Sequence, residues 1–142
     1  MKLIIMVGMP GSGKSTFAAK YNNYMVVNQD KMGDRLKCLE AFRKAAREGQ
    51  NIIVDRCNIN RLQRSIWIRE AQRFGIKDIN AVYLAVNPEV CVKRISERKN
   101  HPTIKENFSL EKNQEIVYNF TKTFEIPQIE EGFNKILIIK ND

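Results

Sequence analysis

Apolar and polar positions along this chain fall into blocks whose period changes from one block to the next. Residues 3–7, Leu3-Ile4-Ile5-Met6-Val7, form a continuous apolar run of the kind a strand buried on both faces produces. Residues 24–28 and 51–55 predict a second and a third strand, residues 79–86 a fourth, and residues 135–140 a last. Between them the period becomes helical. Residues 15–20 read as the first turns of a helix. In residues 34–48, Leu36, Leu39, Phe42, Ala45 and Ala46 predict one apolar face, with Asp34 as N-cap and Gly49 as the stop. Residues 60–74 predict a third helix, with Leu62, Ile66, Trp67 and Ile68 spread about it and Gly75 at its end. Pro88 opens a fourth helix to about residue 99, and Ser109 caps a fifth to about residue 124. The polar stretch 100–107, containing His101-Pro102, predicts a loop. Strands alternating with helices predict an α/β fold with a parallel sheet covered on both faces.

The segment between the first strand and the first helix carries chemistry. Gly8-Met9-Pro10-Gly11-Ser12-Gly13-Lys14-Ser15, followed by Thr16, fills the G-x-x-x-x-G-K-[ST] pattern, and its strand-before, helix-after context is the one that pattern requires. Gly8, Gly11 and Gly13 are expected to turn the backbone with positive φ and bring N–H groups against phosphate oxygens. The following helix points its positive end at the same anion. Lys14 is expected to reach the β- and γ-phosphates of ATP and the Ser15 hydroxyl to ligate Mg²⁺.

Composition adjusts this picture only a little. At 142 residues and 43% hydrophobic content, the chain is expected to form one domain, residues 1–142, with a real core. A net charge of +8 favours a polyanionic partner. Cys38, Cys57 and Cys91 show no C-x-x-C spacing, which points to neither a disulfide framework nor a zinc site and fits a reducing cytosol or nucleus. The N-terminal apolar run, interrupted by Gly8 and Pro10, is too short for a signal peptide or a membrane span.

Ligands of open parallel sheets bind at the carboxyl ends of the strands, and two acids stand there: Asp30 after the second strand and Asp55 at the end of the third. One could accept a proton from an attacking hydroxyl, and one could hold Mg²⁺ directly or through water. Arg94 and Arg98, four apart, share a helix face that ends at the predicted loop, so a lid around 98–108 could bring them over the phosphates. Lys31, Arg35 and Lys37, with Arg56, Arg61 and Arg64, would line a groove suited to a phosphodiester backbone if both helices start at one sheet edge. Trp67 reads as packing and His101 as an exposed loop residue.

Four blocks together resemble the kinase domain of the polynucleotide 5′-hydroxyl kinases. They are residues 8–16; Val27-Asn28-Gln29-Asp30; Ile53-Val54-Asp55-Arg56-Cys57-Asn58 with Arg64 six residues on; and residues 91–98. The resemblance implies a three-layer P-loop kinase fold with sheet order 2-3-1-4-5. It implies Asp30 as general base toward a nucleic acid 5′-hydroxyl, and Lys14, Arg98 and Mg²⁺ on Ser15 as the groups that spread charge. It implies Asp55, Asn58 and Arg64, with Lys37, on the acceptor side. The chain departs from the family's pattern at Gln29 and Gly33, where members often carry Arg, and at Cys57, where Thr is usual. Rival readings are a kinase of a small metabolite or a tRNA-linked hydroxyl, and a nucleotide-sensing module without turnover.

Overall fold

The computed structural model describes residues 1–97 and 110–141, the side chains of Asp30 and Asn141 excepted. Five strands form one sheet: β1 (Lys2–Val7), β2 (Tyr24–Asn28), β3 (Asn51–Asp55), β4 (Asp78–Val86) and β5 (Lys135–Asn141). All neighbours are parallel, in the expected order β2-β3-β1-β4-β5. Among the described residues six helices connect them: α1 (Lys14–Ala18), α2 (Gln29–Met32), α3 (Arg35–Arg47), α4 (Arg61–Arg73), α5 (Pro88–Glu97) and α6 (Leu110–Thr123). The predicted lid around 98–108, with Arg98 and the cap Ser109, lies outside the described residues.

The alternation of side chains along each strand sorts the core into two layers. Leu3, Ile5, Val7, Ile52 and Val54 face Phe42 of α3 and Trp67 of α4. Ile4, Met6 and Ile53 face Ala18 of α1, Cys91 and Ile95 of α5, and Val117 of α6. A strand buried on both faces has no polar side to show, which is why β1 and β3 read as unbroken apolar runs.

The cap expected at Asp34 forms, and Asn60, for which none was expected, caps α4 in the same way. Asp34 accepts from the Lys37 backbone N–H and Asn60 from that of Gln63, each at 2.8 Å. Leu36, expected on the apolar face of its helix, is not on it, and Leu62 too stays outside the core. Leu36 and Leu62 are exposed, at 62% and 73%. Leu36 stands two residues before buried Cys38 and Leu62 two before buried Arg64, about 200° round the helix from the face that packs. Two short elements escape the periodic pattern: the four-residue α2 and a 3-10 turn at Ile129–Glu131.

Candidate active site

The glycine turn leaves β1 at Val7 and enters α1 through Gly13, whose φ of 95° is left-handed; Gly11, at 81°, is the other residue of the turn that needs glycine's freedom. Gly8 does not, contrary to the expectation of positive φ at all three. It is needed for room. A Cβ there would lie 2.6 Å from Ser12 Oγ, a hydroxyl that is buried and lacks a hydrogen-bond partner among the described residues. Gly11 also needs room, since its Cβ would lie 2.6 Å from the Cys91 carbonyl oxygen in α5. The Gly8 N–H donates to the Cys57 carbonyl at 3.0 Å, tying the turn to the segment after β3. Pro10 is buried within the turn, and Ser15 and Thr16 are exposed at the first turn of α1.

Asp55 is the centre of the site. Its carboxylate is 6% exposed, and Oδ2 accepts from Ser15 Oγ and from Asn28 Nδ2, each at 2.8 Å. Asn28 and Asp55 are partners in the β2–β3 register, so the pairing of the strands sets this contact. The residue motif reasoning missed is therefore Asn28; its signal was a polar side chain closing an otherwise apolar strand one pair from an acid. Asp30 follows as the second residue of α2, directly beyond that strand tip. Among the described residues no cluster of three or more His, Cys, Asp or Glu side chains forms. A metal here would rest on Ser15 and Asp55 with phosphate oxygens, an all-oxygen set of the kind Mg²⁺ takes.

Two cations stand at the turn without a carboxylate partner among the described residues. Lys14 Nζ donates to the Met9 carbonyl at 2.9 Å, and an Arg94 Nη donates to the Gly11 carbonyl at 3.3 Å. Burial pushes the Cys91 thiol up, against the opposing pull of Lys14 and Arg94. A protonated buried thiol is packing, not a nucleophile.

The acceptor-side expectations divide. Lys37 is exposed at the start of α3. Asn58 is 2% exposed with φ 49°, and its amide donates to the Met6 and Arg56 carbonyls, so it braces the loop after β3 against β1. Arg64, expected in a substrate groove, is fully buried. Its guanidinium is held by both carboxylate oxygens of Glu131, at 2.8 and 3.1 Å, and by the Asn58 carbonyl at 2.9 Å. Each of its three nitrogens thus donates to the protein, the partnering that a charge out of water requires.

Comparison with known proteins fits this geometry. The AAA domain family, AAA_33, matches residues 3–123. A bifunctional polynucleotide phosphatase/kinase of Schizosaccharomyces pombe is 30% identical over 139 residues, covering 95% of this chain and 32% of that protein. The transcription factor bHLH140 of Arabidopsis thaliana is 30% identical over 151 residues, covering 99% of this chain and 16% of that protein. The chain thus spans a third or less of the length of these relatives. Among solved structures, Chaetomium thermophilum Kti12 in complex with ADP-AlF3 superposes with a TM-score of 0.69 at 17% identity, covering 99% of this chain and 89% of that one. That likeness is one of fold. A family match over most of its length, on a sheet of this order, decides the assignment: the chain belongs to the AAA domain family and has the fold of a P-loop kinase domain.

Proposed function

We propose that this domain transfers the γ-phosphate of ATP to the 5′-hydroxyl end of a nucleic acid, DNA or RNA. The observation that carries the reading is the Ser15–Asp55–Asn28 chain of hydrogen bonds, which links the phosphate turn through β3 to the tip of β2, the strand that Asp30 follows. An acid two strands along from the phosphate seat, with β3 and Asp55 between, is where an acceptor's proton would go. The polynucleotide phosphatase/kinase relative and the chain's net charge of +8 support a polyanionic acceptor.

In the proposed reaction Asp30 takes the proton of the 5′-hydroxyl as its oxygen attacks the γ-phosphorus. The new O–P bond forms as the bond to the β-phosphate oxygen breaks, leaving ADP. Backbone N–H groups of Gly11 and Gly13 and the Lys14 ammonium hold the β- and γ-phosphates; Arg94 and Arg98 meet the charge on the transferring group. Ser15 and Asp55 would hold Mg²⁺, which when bound neutralises charge on the phosphate oxygens. Asn28 keeps the Asp55 carboxylate oriented throughout, and Asn58 and Lys37 shape the acceptor side.

The test is transfer from labelled ATP, offered to 5′-hydroxyl oligonucleotides, tRNA and a panel of small hydroxyl metabolites. Label is expected at oligonucleotide 5′ ends. Label on a metabolite alone would overturn the reading. Asp30→Ala is expected to keep nucleotide affinity while transfer falls by roughly 10²- to 10⁴-fold; unchanged transfer would remove Asp30 from the reaction.

A further inference from the structure

Helices α5 and α6 pack on one face of the sheet and leave between them a groove of about 940 Å³. Ser96, near the end of α5, accepts a hydrogen bond from the amide of Asn113, near the start of α6. Pro88 and Thr121 border one cavity at the other end, so the two helices run antiparallel. One wall is the stripe Glu89, Val92, Lys93 and Glu97 of α5; the other is Leu110, Val117 and Tyr118 of α6. Val92 and Val117 are buried and make the floor, while Leu110 and Tyr118 stand 57% and 60% exposed on the lip. At a rise of 1.5 Å per residue, residues 88–97 and 110–121 span about 14 and 17 Å, the length of three helical turns.

Charge narrows what fits there. The chain as a whole carries +8, yet the groove holds three carboxylates, Glu89, Glu97 and Glu115, against the single ammonium of Lys93, a net of −2. A phosphodiester backbone is repelled by such a rim, so this is no extension of a nucleic-acid surface. Glu115 leans on Lys112 at 3.8 Å. Glu89 and Glu97 make no ion pair among the described residues, and at eight residues apart they stand about 12 Å from each other along one lip. An apolar floor of helix length beneath acidic lips is the complement of a helix whose apolar stripe is flanked by Lys or Arg. A second copy of this chain has none to offer among the described residues. Its basic helices α3 and α4 already bury their apolar faces, Phe42 and Ala45, Trp67 and Ile68, in the core.

We propose that the α5–α6 groove docks a basic amphipathic helix of a separate partner protein. That helix is about three turns long, sets apolar residues on the valine floor, and places two cations about 12 Å apart against Glu89 and Glu97. Arg94 and Cys91 meet the glycine turn from a different side of α5, so the partner binds without occupying the catalytic edge.

Three synthetic helical peptides of about fourteen residues test this by fluorescence anisotropy on the whole chain. One carries a leucine stripe flanked by lysines, one has glutamates in place of those lysines, and one keeps the lysine composition with the stripe scrambled. The lysine peptide is expected to bind wild type about tenfold more tightly than either of the others. The double variant Glu89→Lys with Glu97→Lys should weaken it about tenfold and take up the glutamate peptide instead, with ATP affinity unchanged. That gain shows the variant to be folded. Tyr118→Ser should weaken the lysine peptide several-fold by removing an apolar anchor. Equal binding of the scrambled peptide, or undiminished binding of the lysine peptide by the double variant, would overturn the proposal. Wild type that binds no lysine peptide would overturn it as well. So would sedimentation of wild type as a dimer that Tyr118→Ser dissolves, since the groove would then belong to a second copy.

Discussion

Two pairs of charged residues in this molecule have opposite fates. Arg64 lies buried under the 3-10 turn with every part of its fork taken by Glu131 and a carbonyl. Lys14 and Arg94 lie at the glycine turn and, among the described residues, hold only the Met9 and Gly11 carbonyls. A cation bound to a carboxylate has its charge cancelled and serves the fold. A cation resting on a neutral carbonyl keeps its charge and can turn to an anion that offers more. The distinction separates structure from function at positions where residue type alone does not.

Lys14→Ala should break the functional half most sharply. Transfer is expected to fall by about 10³-fold or more, roughly 4 kcal/mol of transition-state stabilisation, with the melting temperature unmoved. A steady-state assay beside a thermal melt measures both, and a lowered melting temperature would mean that Lys14 also holds the fold. Arg64→Met should do the reverse. It takes from Glu131, whose side chain is only 6% exposed, its two-pronged partner and leaves it Arg61 at 3.8 Å and the Gln128 N–H at 2.8 Å, and is expected to cost about 3 kcal/mol in urea unfolding, with KM values unchanged in the folded fraction. Adding Glu131→Leu should recover much of that loss.

Smaller substitutions sharpen the same contrast. Arg94→Gln should weaken nucleotide binding about tenfold without destabilising the domain, as titration calorimetry would register. Gly132→Ala touches only the structural side. Gly132 has φ 121° and a Cβ there would come 3.1 Å from Ile68 Cγ2, so about 1–2 kcal/mol of stability should go and nucleotide affinity should stay.

Much of this was legible in the chain because it is local. The runs at 3–7 and 51–55 and the cap Asp34 depend on neighbours in sequence, and each stands where its pattern places it. The strand order came from resemblance, since periodicity does not say which strand lies beside which. The role of Arg64 was not legible, because its partner Glu131 is 67 residues away on a turn with no periodic signal. Nor was the reason for Gly8. Sequence offers torsional freedom as glycine's usual purpose, whereas here the constraint is the Ser12 hydroxyl packed against it. Leu36 and Leu62 mark another limit: an apolar residue near a helix start is not thereby on the packed face.

The tight seat of Gly11 against the Cys91 carbonyl has a mechanical consequence. With no methyl's width between them, the loop that grasps the triphosphate and the long axis of α5 cannot slip past one another. A methyl added at Gly11 would have to push the turn and α5 apart, so the fit of the phosphate loop and the lie of that helix are set by one contact.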